Sequence, residues 1–291
     1  MLSTRAIRRK IRTVRNIRKI TDAMRMVSAA RLQRVQAKVS QARPYADKMA
    51  ELLRHVAPHA REVSHPLLEV RQPARRVALV AVSADRGLCG SFNSNIIRWT
   101  SRFLAEQTVP VELITIGRKV GSFFARRNVP IREQFTGISA DSTPAEIGVV
   151  SSLLRSIYED ETVDEVHILY TEFVNAVVQR PKIMRFLPFE APAEMGQAEG
   201  RYHESEYLFE PSARAVMESL IPRYVDTMIY HLLLESTASE HGARMMAMSN
   251  RSTNAGELID HLTLQLNKAR QSSITGELLE IVAGADALAK Q

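Results

Sequence analysis

Within this 291-residue chain, the segment best composed for chemistry is Asp85-Arg86-Gly87-Leu88-Cys89-Gly90. It follows an apolar run, Val77 to Val82, and in α/β folds a turn so placed often meets a phosphate at a helix N-terminus. The segment matches neither G-x-G-x-x-G nor G-x-x-x-x-G-K-[ST], the two spacings that cradle nucleotide phosphates. A tight turn whose glycines allow close packing is therefore the favoured reading, and a nucleotide-binding enzyme is the alternative. Cys89 as a nucleophile needs a base beside it, and the sequence names none. Being the only cysteine, it forms no intrachain disulfide and no C-x-x-C site. His55 and His59 stand at i, i+4, but Pro58 between them argues against a helical metal pair. No H-E-x-x-H occurs. The expectation is a chain with no catalytic group, no metal and no cofactor of its own.

Charge supplies the second candidate. The net charge is +7, and it is concentrated. Residues 1–43 carry 13 basic side chains against one acid, Asp22, a net of +12 that leaves −5 for the remainder. A basic arm can bind nucleic acid, yet residues 1–44 hold no aromatic for base stacking. Nor do they hold the Trp and Phe common on helices that lie in a membrane interface. The Arg-rich, acid-poor opening is like a mitochondrial transit peptide, but its pattern runs on too regularly and too far. The longest apolar run, Val77 to Val82, is well short of the roughly 18–20 residues that span a bilayer. No nucleic acid and no membrane insertion is expected.

The elements that position these residues are legible from periodicity. Ile7, Ile11, Val14, Ile17, Ile20, Met24, Val27, Leu32, Val35 and Val39 recur with a mean spacing near 3.6, from nine steps over 32 residues. That places them along one stripe of an α-helix, capped by Ser3 or Thr4 and running to about Val56. So long a helix with so narrow a stripe needs a partner helix. From Pro211 to about Ala285 apolar residues again fall at helical steps, with Pro222 alone interrupting. The simplest pairing is an antiparallel coiled coil of the two ends, the Met24 stretch lying beside Arg244–Met248. Eleven of the twenty residues from Ser236 to Ala255 are Ala, Gly, Ser or Thr, which suits close helix approach. Met245, Met246 and Met248 add an adaptable surface, matched by Met24 and Met26.

Between the two ends, strands near Val77–Val82, Val111–Ile116, Ile131, Val166–Tyr170 and Lys182–Leu187 alternate with helices. One of these helices runs from Pro144 to Tyr158. This is the pattern of a small Rossmann-like open sheet. Pro58, Pro66 and Pro73 mark one linker, and residues 188–205 a second. The fold class is α/β: a long antiparallel coiled coil of the N- and C-terminal helices (1–58 and 209–291) with an inserted Rossmann-like domain (75–206).

Five segments carry a resemblance. Ile20-Thr21-Asp22-Ala23-Met24-Arg25-Met26-Val27 is similar to I-T-x-A-M-x-M-V, and Ser83 to Gly90 to S-x-D-R-G-L-C-G. Tyr207-Leu208-Phe209-Glu210-Pro211 is similar to Y-x-[FY]-E-P. Ser239 to Met248 is similar to S-E-x-x-A-R-M-x-A-M, and Asn267 to Glu277 to N-x-x-R-Q-x-x-I-T-x-E. These are the motifs, in order, of the γ subunits of F-type ATP synthases, which the chain resembles over essentially its whole length. The resemblance implies a rotor standing inside a hexamer of α and β subunits. Its foot lies on the membrane ring of c subunits and holds the ε subunit, and it performs no bond chemistry of its own. By the matching positions it implies contacts to the hexamer from Met24, Arg244, Met245, Arg270, Gln271, Thr275 and Glu277. It likewise implies contacts to the ring from Tyr207, Phe209 and Glu210. A peripheral position on the cytoplasmic face of a bacterial inner membrane follows, with a proton or sodium ion as the coupling ion. The acidic loops of the family's β subunits suit a +12 arm. Ile274, Leu278, Ile281 and Val282 make an apolar end for an apolar sleeve. Arg251, Gly242 and Leu266 depart from the family's pattern.

Overall fold

The computed structural model describes residues 4–56, 65–189, 210 and 212–289. The element order is α1 (Thr4–Val56), β1 (Val77–Val82), α2 (Phe92–Glu106), β2 (Val111–Ile116), α3 (Arg118–Ala125), β3 (Ile131–Phe135), α4 (Pro144–Glu159), β4 (Glu165–Phe173), β5 (Gln179–Leu187) and α5 (Ala213–Ala289). Two compact units emerge. One is helical and comprises residues 1–28 with 245–291; the other comprises residues 29–244.

The larger unit is built on a five-stranded sheet of order β3-β2-β1-β4-β5. The first four strands are parallel, and β5 runs antiparallel to β4 as a hairpin. β1 is buried at all six positions, as a central parallel strand with both faces covered should be. Its alternate side chains enter two cores. Val77, Leu79 and Ala81 meet Ile96 and Phe103 of α2 and Val120 and Phe124 of α3. Ala78, Val80 and Val82 meet Val150, Leu154 and Ile157 of α4 and, beyond the expectation for a coiled-coil helix, Met217, Ile221, Val225, Ile229, Leu232 and Leu233 of α5. The beginning of α5 is thus a core element of the α/β unit. α4 starts on a full capping box, Thr143 with Glu146, which satisfies two of the N–H groups a helix start leaves open.

The seam of α1 differs from the one a mean spacing of 3.6 selects. Ile17, Ile20 and Val27 are exposed by about half or more, while Thr21 and Ser28 are buried. Among the buried and half-buried positions, one row runs through 7, 11, 14, 21, 25, 28, 32, 35, 39, 42, 46 and 49. With the exposed Arg18 filling the one missing step, they alternate strictly by four and three, a repeat of 3.5. α5 shows the same repeat at 248, 252, 255, 259, 262, 266 and 269. A 3.5 repeat is the signature of a left-handed supercoil. Apolar residues that follow the 3.6 period drift off that seam, and small polar residues fall on it.

In the helical unit the two segments run antiparallel. Ile7 and Ile11 cluster with Ile259 and Leu262, flanked by Val14, Leu266 and Ala269. Further along α1, the Arg18 guanidinium lies over Gly256. Thr21 and Ser28 bond within their own helix, to the carbonyls of Arg18 and Met24. Their burial therefore leaves no hydroxyl unsatisfied, and their small size lets the partner helix come close.

Candidate functional site

The Asp85–Gly90 turn sits at the C-terminal ends of the parallel strands, where open α/β sheets receive their ligands. Here a hollow of about 200 Å³ remains, lined by Asp85, Arg86, Gly137 and Glu240, and the turn is tied down beside it. One oxygen of Asp85, Oδ1, accepts the backbone N–H of Arg118 at 2.9 Å, the first residue of α3. The other, Oδ2, accepts the N–H of Gly137 at 2.9 Å. A carboxylate thus caps the N-terminus of α3, the helix that follows the neighbouring strand β2. Gly117 makes this approach possible. Its φ of +94° suits glycine, and a Cβ there would stand 2.1 Å from the Ser83 carbonyl oxygen. The alternative of an enzyme binding nucleotide through this turn finds no support.

Cys89 is buried and packs with Ala84 and Phe92 against Ala243 of α5. Asn93 donates to its Sγ at 3.1 Å. Burial pushes the thiol pKa up, against the partial opposition of Arg244. A nucleophilic thiol needs the reverse shift, so the residue is a core side chain.

Arg244 holds this turn from α5. Its side chain is only 10% exposed, and Nη2 lies 2.7 Å from Glu240 Oε1. Nε and Nη2 both donate to the Gly87 carbonyl, at 3.4 and 3.3 Å. Nη1 lies 3.3 Å from His241 Nδ1. Because a guanidinium only donates, Nδ1 accepts and the neutral ring carries its proton on Nε2. Burial lowers the His241 pKa to about 4, helped by Arg244 and Arg31. Glu240 is shifted up by burial, with Arg244 opposing.

Other polar links join the inserted sheet to the helices at the same level. Ser239 Oγ donates to the Thr171 carbonyl at 3.0 Å, and the Ala140 N–H donates to Thr237 Oγ1 at 3.3 Å. From α1, Lys38 donates to the Ala140 carbonyl at 2.8 Å and meets Asp141 at 2.6 Å. The ammonium holds the Asp141 carboxyl below its usual range.

The residues expected from the motifs are placed as follows. Met24 and Met245 are half-buried. Arg270, Gln271, Thr275 and Glu277 are exposed on α5, with Gln271 and Thr275 one turn apart on a common face. Glu277 accepts from Ser273 at 3.2 Å. Glu210 is exposed, while Tyr207 and Phe209 lie outside the described residues. Arg244 stands apart from this exposed set, since its donors are engaged inside the α/β unit. No local pattern announces its link to Gly87, which joins residues 157 apart. The one sequence signal is an Arg set among small residues.

The helical unit carries the basic surface. A groove of about 880 Å³ is lined by Arg8, Arg12, Arg15, Arg18 and Lys19 together with Ile259. The exposed Ile17, Ile20 and Val27 belong to the same helix.

Residues 3–288 match the family model described as ATP synthase. The chain is 44% identical to the ATP synthase gamma chain of Pelotomaculum thermopropionicum, over 99% of this chain and 100% of that one. It is 47% identical to the gamma chain of Symbiobacterium thermophilum over 98% of each. Among solved structures, its fold is similar to a chain of the Euglena gracilis mitochondrial ATP synthase rotor, with a TM-score of 0.66, 19% identity, and coverage of 93% of this chain and 98% of that one. It is also similar to a chain of the Tetrahymena thermophila mitochondrial ATP synthase central stalk and c-ring, with a TM-score of 0.60, 24% identity, and coverage of 79% and 98%.

Proposed function

The chain belongs to the ATP synthase gamma chain family, and from that footing we propose that it is the central rotor stalk of a membrane-bound rotary ATP synthase. In this role it transmits torque between an ion-driven c-ring and a catalytic αβ hexamer and makes or breaks no bonds itself. The observation that carries the reading is the far part of α5. Ile274, Leu278, Leu279, Ile281 and Val282 are all about half exposed or more. Among the described residues, the apolar cluster with α1 reaches no further along α5 than Ala269. An apolar helix end left exposed among the described residues suits a sleeve supplied by another protein.

Met24, Met245, Arg270, Gln271, Thr275 and Glu277 are the proposed contacts to the hexamer. The cationic groove of the helical unit faces the acidic loops of the β subunits. Like-signed surfaces would repel a wrongly seated rotor, so this complementarity serves register and specificity. Glu210, with Tyr207 and Phe209, is the proposed contact to the c-ring, and the inserted domain carries the ε subunit. Among the described residues no helix is long and apolar enough to cross a membrane. The position proposed is peripheral, on the cytoplasmic face of the bacterial inner membrane, through the ring.

The test is reconstitution. The purified chain alone is expected to hydrolyse no ATP, and its addition to α, β, ε and a c-ring in vesicles is expected to give ATP hydrolysis that charges the membrane. ATP hydrolysis by the clean isolated chain, or no assembly with α and β, overturns the reading.

A further inference from the structure

We infer that Arg244 is a positioning residue, a latch that extends the hold of the inserted α/β domain on the C-terminal helix beyond the core contacts of Met217 to Leu233. This rests on the rotor reading and adds where the torque passes. At this level of α5 the side chains that face the domain between Thr237 and Arg244 include the small ones of Ser239, Gly242 and Ala243. Phe173 and Ala176 of the β4–β5 hairpin come within 3.4–3.5 Å of where a Gly242 Cβ would stand, and Ala243 packs against the small cluster of Ala84, Cys89 and Phe92. Contacts among side chains this small are non-directional and interdigitate little, so they resist sliding or rotation of the helix weakly.

The polar links are directional, and Arg244 makes one of them with a buried, charged fork. Its fork places two donors on one carbonyl while the carboxylate one turn earlier, Glu240, balances the charge from the same helix. The guanidinium is therefore aimed before it meets Gly87, and the helix buries a neutral pair. The acceptor is equally fixed. Gly87 lies two residues after Asp85, which is bonded to both the start of α3 and Gly137. A stiff donor on the helix meets a stiff acceptor on the sheet. Ser239 and Thr237 repeat the link within two turns, and α5 continues as one helix to Ala289. A lysine at 244 would keep the charge and lose the fork.

The experiment uses the full chain assembled with α, β, ε and the c-ring in vesicles. It reads ATP hydrolysis and, with a potential-sensitive dye that is indifferent to the ion moved, the membrane potential generated. Arg244→Ala and Arg244→Lys are both expected to lower the potential reached per ATP hydrolysed while hydrolysis persists. A wild-type ratio in Arg244→Ala overturns the latch. So does an equal fall of potential and hydrolysis, the mark of a role confined to folding. A second arm needs no assembly. Amide hydrogen exchange on the isolated chain is expected to speed at residues 86–90 in Arg244→Ala with the strand β1 unchanged, and unaltered exchange at the turn also overturns it. Failure of the wild-type chain to couple at all overturns the rotor reading instead, and leaves the exchange arm to decide the latch.

Discussion

Arg244→Met is the perturbation that most directly tests how the α/β unit is held to its helix. The substitution keeps most of the side-chain volume and removes the charge, so the loss is electrostatic and not a cavity. Breaking one side of a buried ion pair costs about 3–5 kcal/mol, because the remaining charge is left desolvated. Glu240 keeps 21% of its side-chain exposure, which places the expected cost near the lower bound, about 3 kcal/mol. The carboxylate sign gives a second signature. Burial already raises the Glu240 pKa, and Arg244 is the chief group opposing that rise. In the variant the rise grows, so the folded form binds a proton the unfolded form has released. A raised carboxylate costs stability above its folded pKa and ceases to do so as pH falls through it. Arg244→Met is therefore expected to regain stability relative to wild type as pH falls from neutrality through the raised Glu240 pKa toward the ordinary carboxylate range. Urea unfolding followed by the fluorescence of Trp99, the single tryptophan, reads the unit directly because Trp99 lies in α2. Glu240→Gln in the Arg244→Met background removes the stranded charge and is expected to restore about 1–2 kcal/mol, the coupling of a contacting pair. A loss below about 0.5 kcal/mol, the range of ordinary surface substitutions, or a double variant no better than Arg244→Met, refutes the reasoning.

Four further outcomes are expected. Gly117→Ala should prevent the α/β unit from folding, since the new methyl would overlap the Ser83 backbone; a well-folded variant by circular dichroism would refute the close approach. Gly242→Ala should raise stability by about 0.5–1 kcal/mol, because its Cβ meets only ordinary contact distances, and urea midpoints check this. Cysteines at Thr21 and Ser252, both buried in the helical unit, should crosslink on oxidation, whereas a cysteine at the exposed Ile20 paired with Ser252 should not; the reverse yield would refute the 3.5 seam. His241, lowered to about 4 from 6.5, is a base whose folded pKa is depressed. Its contribution is present above pH 6.5 and is lost as pH falls toward 4, so His241→Gln should flatten the stability profile in that window.

What was legible in the sequence is what short-range patterns control. β1 reads as a buried strand because every one of its side chains is apolar, and the start of α4 reads from Pro144, to which the structure adds the Thr143–Glu146 capping box. The Asp85–Gly90 turn was rightly favoured as a packing element over a nucleotide site, for a reason composition does not reveal: Asp85 reaches 33 residues ahead to Arg118. The α1 seam was misplaced from Ile17 to Val27. Repeats of 3.6 and 3.5 separate only gradually along a helix, and apolarity is a poor guide where Thr21 and Ser28 do the packing. The role of the first turns of α5 in the sheet core was also hidden. Met217 to Leu233 face both a sheet and a helix, and periodicity records that a face is covered without recording by what.

The same apolar residues that left the seam connect structure to function. Ile17, Ile20 and Val27 keep about half or more of their surface uncovered, and they sit on the +12 arm beside its arginines. A chain that needed only a stable helical pair would place them inward, where each buried aliphatic side chain contributes about 1.5–3 kcal/mol. It places Thr21 and Ser28 inward instead, keeping the pair slim and turning its large side chains outward. That arrangement is unfavourable for an isolated coiled coil and fitting for one enclosed by other subunits, where both the charge and the aliphatic surface find partners. The α/β unit shows the complementary economy. At the strand ends Asp85 ties its own turn to α3 and to Gly137, and Arg244 of α5 grips the same turn, while a hollow of about 200 Å³ lined by Asp85, Arg86, Gly137 and Glu240 stays open beside them. Asp85→Asn separates these uses: loss of the latched turn without any gain of nucleotide binding is the expected result, read by hydrogen exchange at residues 86–90 and by calorimetry with ATP. Saturable ATP binding by that variant would show that the crevice is merely blocked and not rebuilt.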